Sequence, residues 1–435
     1  MIPIPLMFLP FPFIPAEETR SRVGGAKNPG RRQRVVAAPR NVKEVALSPR
    51  SKSPSSATTP RRSGKGGLAP VLTTRELNRA LLQRQYLLRR TASSLPEVIE
   101  HLVGLQAQAG NAPYLALWTR MKDFQLDDLT RCYQERTVVR ATMMRSTQHL
   151  VTARDFQRLR PTLQAVLDRM MKQSVYPREL VGLDLDLVVA EGRKLLAKEP
   201  LSTVELGRRL QARWPERDAR ALSFVVRVAE PLVTVPPFGT WGVGGEVEFA
   251  TSKSWFGEPP GPALPLEDVV LRYLGAFGPA SVKDMQAWSG LIRLADTVEQ
   301  LRPRLRTFRD EQGVELFDVP DAPRPEGDAP APVRLVAEFD NLLLSHAERS
   351  RIISEPYRKR VFTINGIIRP TVLVDGFVRG MWKLEREKER VTLRIEPFER
   401  IAREDRAALT EEGARLLAFA APDSPSHDVH FAPVS

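Results

Sequence analysis

The chain has 435 residues, 42% of them apolar, a single cysteine, five histidines and a formal net charge of +13. At roughly 150 residues per domain this length allows about three domains. Cys132 has no partner for an internal disulfide, and the histidines, scattered from His101 to His430, give no zinc-ligand spacing. No apolar run of about 18 residues escapes proline or charge, so a soluble, intracellular protein that does not engage a membrane is expected.

The charge is concentrated at the start. Residues 1–68 hold thirteen Lys/Arg against Glu17, Glu18 and Glu44, which is +10 and leaves +3 for the remainder. The opening MIPIPLMFLPFPFIPA is apolar, but it lacks a basic leader and carries Pro3, Pro5, Pro10, Pro12 and Pro15, which rules out a continuous signal-peptide helix. The Arg-, Ser-, Pro- and Gly-rich stretch that follows has too little to bury to offset the entropy of ordering. Residues 1–70 are expected to be a disordered basic tail, either a plain solvated segment or one that tracks phosphates without sequence preference.

Order begins near Leu72. TTRELNRALLQRQYLL places Leu77, Leu81, Leu82 and Leu88 at helical spacing behind a Thr74 cap. Ser94 and Glu97 then form a Ser-x-x-Glu capping box, with Pro96 tolerated in the first turn. APYLALWTRM and a segment from Leu126 to Arg136 read as further helices, and VVRATMMRSTQHLVTA reads as strands. This is a winged-helix order. It recurs after Ser202, where two helices precede the hairpin PLVTVPPFGTWGVGGEVEFA, and again over residues 267–318. Beyond the proline-rich linker Pro320 to Pro332, the segments VRLVAEF, RVFTI, GIIRPTVLVDGFVRGMWKLER and RVTLRIEPF alternate like strands, with a turn at Asn365-Gly366 and a last helix at ARLLAFA. The expected fold is α+β: winged-helix units over 71–175, 176–260 and 261–325, and a β-barrel with a terminal helix over 326–435.

Phosphate-cradling and nucleophile-elbow motifs are missing from the sequence. Two polar clusters stand out. In Gly104-Leu105-Gln106-Ala107-Gln108-Ala109-Gly110-Asn111 the Gly110-Asn111-Ala112-Pro113 punctuation implies that the second helix stops there. On extended backbone Gln106 and Gln108 share a face and their carboxamides can converge; on a helix they would diverge and serve as ordinary polar caps. The second cluster, Arg145-Ser146-Thr147-Gln148-His149, alternates so that Arg145, Thr147 and His149 share one strand face. A strand Thr and a lone His also commonly serve packing and backbone hydrogen bonds.

At these residues the chain resembles the AlkZ/YcaQ family of winged-helix DNA glycosylases. The resemblance runs from about Leu72 to Ala420 and includes RYLGAFGPASVKDMQAWSG, FDNLLLSHAERSRII and LVDGFVRGMWK. It implies three tandem winged helices and a β-barrel arranged around DNA, catalysis by the Gln-apolar-Gln pair Gln106 and Gln108, and DNA contacts from Arg145, Thr147 and His149. It further implies removal of N7-alkylated purines from double-stranded DNA, crosslinks and bulky adducts included; with no metal-ligand set and no lysine nucleophile implied, a monofunctional, cofactor-free monomer in the cytoplasm, associated with the nucleoid, is expected. Ser146 stands where the family usually has Gly, and Gln148 where it usually has an apolar residue. A winged-helix regulator that binds DNA without chemistry is the main alternative, and a tail-dominated RNA- or chromatin-associated protein a third.

Overall fold

The computed structural model describes residues 69–434. The expected disordered tail lies, up to residue 68, outside the described residues. The first helix, Thr74–Arg84, starts one residue earlier than its sequence signal suggests and ends short of Leu88, because Tyr86 turns left-handed at φ 56. Thr73 rather than Thr74 is the cap, because Glu76, three residues on, completes the reciprocal capping box: the Thr73 backbone N–H donates to Glu76 Oε2 at 2.7 Å. The helix buries charge as well as leucine. Arg84 makes a bidentate pair with Asp318 at 2.7 and 2.8 Å with both side chains fully buried, and Arg79 pairs with Asp375. Asn78 donates to the carbonyls of Arg351 and Gly376. One helix near the start of the described chain is thereby fixed to segments 234 to 298 residues away.

Helices Leu95–His101, Ala112–Arg120 and Leu126–Gln134 follow, then the hairpin strands Val138–Thr142 and Gln148–Thr152. Helices Thr203–Gln211 and Ala219–Ala229 precede strands Leu232–Thr234 and Glu248–Thr251. Helices Leu266–Phe277, Val282–Ser289 and Ala295–Leu301 precede strands Arg306–Asp310 and Glu315–Asp318. Helices thus lead into strands three times, as the sequence pattern suggests.

The hairpins are not separate. Arg140 pairs with Thr234 and Ala141 with Val233, which joins the first two hairpins edge to edge in a six-stranded antiparallel sheet. That sheet also takes in the two-residue strands Leu105–Gln106 and Leu201–Ser202. The third hairpin is extended by Val71–Leu72, parallel to Arg306–Asp310.

The C-terminal segment departs from expectation in three respects. Arg334–Val336, Thr371–Val374, Phe377–Arg386, Arg390–Pro397 and Ser426–Phe431 pair in sequence order as a five-stranded sheet whose first and last strands are both edges. The sheet is therefore open, not a closed barrel. RVFTI is no strand: Ser354 and Pro356 start a helix, Glu355–Val361, that consumes its first residues. The Asn365-Gly366 turn is present, closed by a single Phe362 to Ile368 bridge, with Gly366 at φ 82. The last strand, Ser426–Phe431, was not signalled and lies parallel to Arg390–Pro397 after the 18-residue helix Arg403–Ala420. Among the described residues no helix is long and apolar enough to cross a membrane.

Candidate active site

The helix that leads to the glutamine pair ends earlier than Gly110. Its last residue is His101, and two successive left-handed residues, Val103 at φ 53 and Gly104 at φ 89, swing the chain into the Leu105–Gln106 strand. A side chain at Gly104 would place its Cβ 2.7 Å from Val151 Cγ1 and 3.0 Å from the Leu150 carbonyl, so only glycine fits. Gly110-Asn111 instead introduces the next helix, for which Asn111 is the N-cap residue. The extended backbone expected at Gln106 is present, for a different local reason.

Gln106 lies opposite His149 in the sheet and is nearly buried. The Ala107 N–H donates to the Gln148 carbonyl at 2.8 Å, and after it the chain leaves the ladder. The exposed Gln108 takes over with its side chain: its Oε1 accepts from the Gln148 N–H at 2.9 Å. Gln106 Oε1 accepts from Arg145 Nη2 at 2.6 Å. Guanidinium and backbone N–H groups can only donate, which fixes both carboxamides with their oxygens toward the 145–149 segment. Each oxygen retains a second lone pair and each amide two N–H donors. The two polar clusters seen in the sequence are thus one structure.

Arg145 does not lie on the strand. It occupies a 3₁₀ turn, Met144–Ser146, in which Arg145 (φ 54) and Ser146 (φ 59) are both left-handed. That turn brings its guanidinium to Gln106 Oε1, the Trp288 carbonyl and, at 3.5 Å, His149 Nε2. All three partners are neutral. Burial and the neighbouring Arg349 pull the Arg145 pKa down to about 10, which still leaves it charged at neutral pH. Arg349, overlooked in the sequence, donates to the Leu343 carbonyl at 2.8 Å and lies over the Phe362 ring.

Thr147 is partly exposed, its hydroxyl donating to the Met144 carbonyl at 3.1 Å. His149 is fully buried, and its Nδ1 faces the Thr147 carbonyl at 2.9 Å, which places the proton on Nδ1 and leaves Nε2 as the acceptor toward Arg145. Burial and the Arg145 charge push its pKa down to about 3. The folded protein therefore holds His149 neutral while the unfolded chain takes up a proton below pH about 6.5. Stability falls as pH drops from 6.5 toward 3, and His149 contributes about 2 kcal/mol of that loss between pH 7 and 5. Urea unfolding at the two pH values should show that His149→Gln is less acid-sensitive than the parent by this amount.

Ser146 explains itself poorly as a serine. It combines a left-handed backbone with a buried hydroxyl that makes no hydrogen bond, and Gln148 Oε1 is likewise buried and unpartnered. Glycine would relieve both at position 146. Against the entropic cost of glycine, Ser146→Gly should gain about 1 kcal/mol, read as a higher urea midpoint at unchanged slope.

The model of the DNA glycosylase AlkZ-like family matches residues 99–419, well over half of the chain. The chain belongs to the AlkZ-like DNA glycosylases. It is similar to the interstrand DNA cross-link repair glycosylase of Streptomyces sahachiroi, with 28% identity over 373 residues that cover 77% of this chain and 93% of that protein. The solved structure of Streptomyces sahachiroi DNA glycosylase AlkZ superposes with a TM-score of 0.68 at 22% identity, covering 83% of this chain and all of that one. Family membership makes this chain an enzyme, and the superposition shows that its mixed α+β architecture is shared. In this AlkZ-like chain the matched region contains all five residues singled out from the sequence, together with Trp288 and Arg349. No group of three or more His, Cys, Asp or Glu that could hold a metal occurs among the described residues.

Proposed function

We propose that this chain hydrolyses the N-glycosidic bond of N7-alkylated purines in double-stranded DNA, bulky adducts and interstrand crosslinks included, with Gln106 and Gln108 as the catalytic residues. The observation that carries the proposal is the pair of neutral carboxamides anchored by their oxygens on one segment, Gln106 on the Arg145 guanidinium and Gln108 on the Gln148 N–H. A purine alkylated at N7 is already cationic and departs without a general acid, so the work left is to stabilise the sugar cation and to present water. The second lone pair of an amide oxygen can hold that water below C1′, and the carbonyl dipoles face the developing positive charge. No lysine nucleophile is required, which makes the enzyme monofunctional.

Arg145 would oppose a sugar cation if left uncompensated. Because its present partners are all neutral, the charge is available for a phosphate beside the lesion, with Arg349 close by. Thr147, partly exposed, would contact the same strand. His149, fully buried, is better assigned to holding Arg145 than to touching DNA. The three helix-to-hairpin segments act as winged helices that present this turn to the duplex, over the segments 71–175, 176–260 and 261–325. The name of the S. sahachiroi relative supports crosslinks as substrates.

Unhooking is read directly on a denaturing gel. A duplex crosslinked through guanine N7 should be converted to single strands with the same rate in EDTA as in buffer. Persistence of the crosslinked band with DNA binding intact would instead favour a regulator; loss of activity in EDTA restored by added metal would overturn the cofactor-free mechanism.

A further inference from the structure

The segment that carries the two glutamines is pinned by very little sheet. Only Leu105 and Gln106 are strand residues, and beyond them a single backbone bond, Ala107 to Gln148, continues the ladder. Yet two buried side chains, one 237 residues and one 30 residues away in sequence, grip its ends.

At the upstream end Asn341 Nδ2 donates to the Gly104 carbonyl at 2.7 Å. Asn341 is buried and cannot swing away, because it opens the short Asn341–Leu344 helix whose cap, Asp340, is locked in a fully buried bidentate pair with Arg120. At the downstream end Arg140 Nη2 donates to the Gly110 carbonyl at 2.6 Å and the Ala109 carbonyl at 3.2 Å, while its Nε donates to Tyr133 Oη at 3.1 Å. Arg140 is buried in the middle of the six-stranded sheet, paired to Leu150 on one side and Thr234 on the other. The glycine-rich loop of the second hairpin closes over it. A Cβ on Gly239 (φ 90) would lie 2.9 Å from Arg140 Cδ and Nη1, and the Gly242 N–H donates to Asn111 Oδ1 at 2.9 Å.

We infer that Asn341 and Arg140 are positioning residues that hold the Gln106–Gln108 segment at both ends and set where its carboxamides lie. This rests on the catalytic assignment above. Neither side chain needs to touch DNA; each acts through the backbone of the segment. A displacement of about 1 Å at a reacting group can cost on the order of 100-fold in rate, so loss of either grip should lower the single-turnover excision rate 10- to 100-fold and leave DNA affinity within about threefold.

The test is a kinetic double-mutant cycle on an N7-methylguanine duplex, with thermal melts confirming that each protein is folded at the assay temperature. Asn341→Ala, the milder Asn341→Ser, and Arg140→Met are each made alone and combined with Gln106→Ala. If Asn341 and Arg140 act through the glutamine segment, each combined variant is scarcely slower than Gln106→Ala by itself, and Arg140→Lys, which keeps a donor to the same carbonyls, regains part of the rate lost in Arg140→Met. Losses that multiply in the combined variants, or single variants that excise at the parent rate, overturn the inference while leaving the catalytic assignment intact. A fully active Gln106→Ala protein would overturn the assignment itself.

Discussion

Replacing Gln106 with Ala should slow excision of an N7-alkylpurine by about 100-fold and change DNA affinity little, because the amide's electrostatic contact matters chiefly in the transition state. The structure sharpens the reason. Gln106 Oε1 is bonded to Arg145, so its removal also frees a guanidinium that the folded protein otherwise aims at a neutral oxygen. A cation released next to a forming sugar cation adds to the cost. Gln108→Ala should have an effect of the same order, since the Gln108 oxygen replaces the missing ladder acceptor for the Gln148 N–H. Gln108→Asp should retain more activity than Gln108→Ala, because a carboxylate can accept from that N–H, hold water and stabilise positive charge. Single-turnover rates and binding titrations on the same duplex separate these effects from weakened association.

The largest loss of stability is expected at Asp340. Its partner Arg120 is fully buried, donates to both carboxylate oxygens at 2.7 and 2.8 Å, and already has an unpartnered Nε. Asp340→Ala strands that charge away from water and should cost about 3–5 kcal/mol, a sizeable part of the stability of any one domain. Replacing both partners with apolar residues of similar volume, Arg120→Met with Asp340→Leu, should recover most of the loss, because no charge is then left buried. Urea unfolding of the single and double variants measures this. If Asp340→Ala is neutral, the pair does not tie the Ala112–Arg120 helix to the C-terminal segment as its geometry indicates.

What could be read from the sequence was local. The Ser94/Glu97 capping box works as expected, the Ser94 N–H donating to Glu97 Oε2 at 2.9 Å, because both partners lie within one turn. The extended backbone at Gln106 was also legible, but its cause was not: a β-branched residue, Val103, sits in the left-handed region immediately before Gly104, a strained state that tertiary packing imposes. Strand alternation put Arg145, Thr147 and His149 on one face, whereas the left-handed turn at Arg145 and Ser146 is what brings Arg145 back to His149. Long-range pairings left no local mark. Nothing near Arg140 announces that its strand joins the second hairpin, although a charged residue between Val138, Val139 and Ala141 is a sign that an acceptor must be found in the interior. The barrel reading failed for the same reason: strand content follows from alternation, but closure depends on whether distant edges meet.

The most direct test of the central claim is base release itself. Purified protein is incubated with a duplex carrying one N7-alkylguanine, the sample is heated in alkali to cleave abasic sites, and a parallel sample is treated with borohydride. The parent protein should generate an alkali-labile site at the lesion and no covalent adduct, and a protein carrying both Gln106→Ala and Gln108→Ala should generate almost none. A double variant that releases the base as fast as the parent would contradict the account.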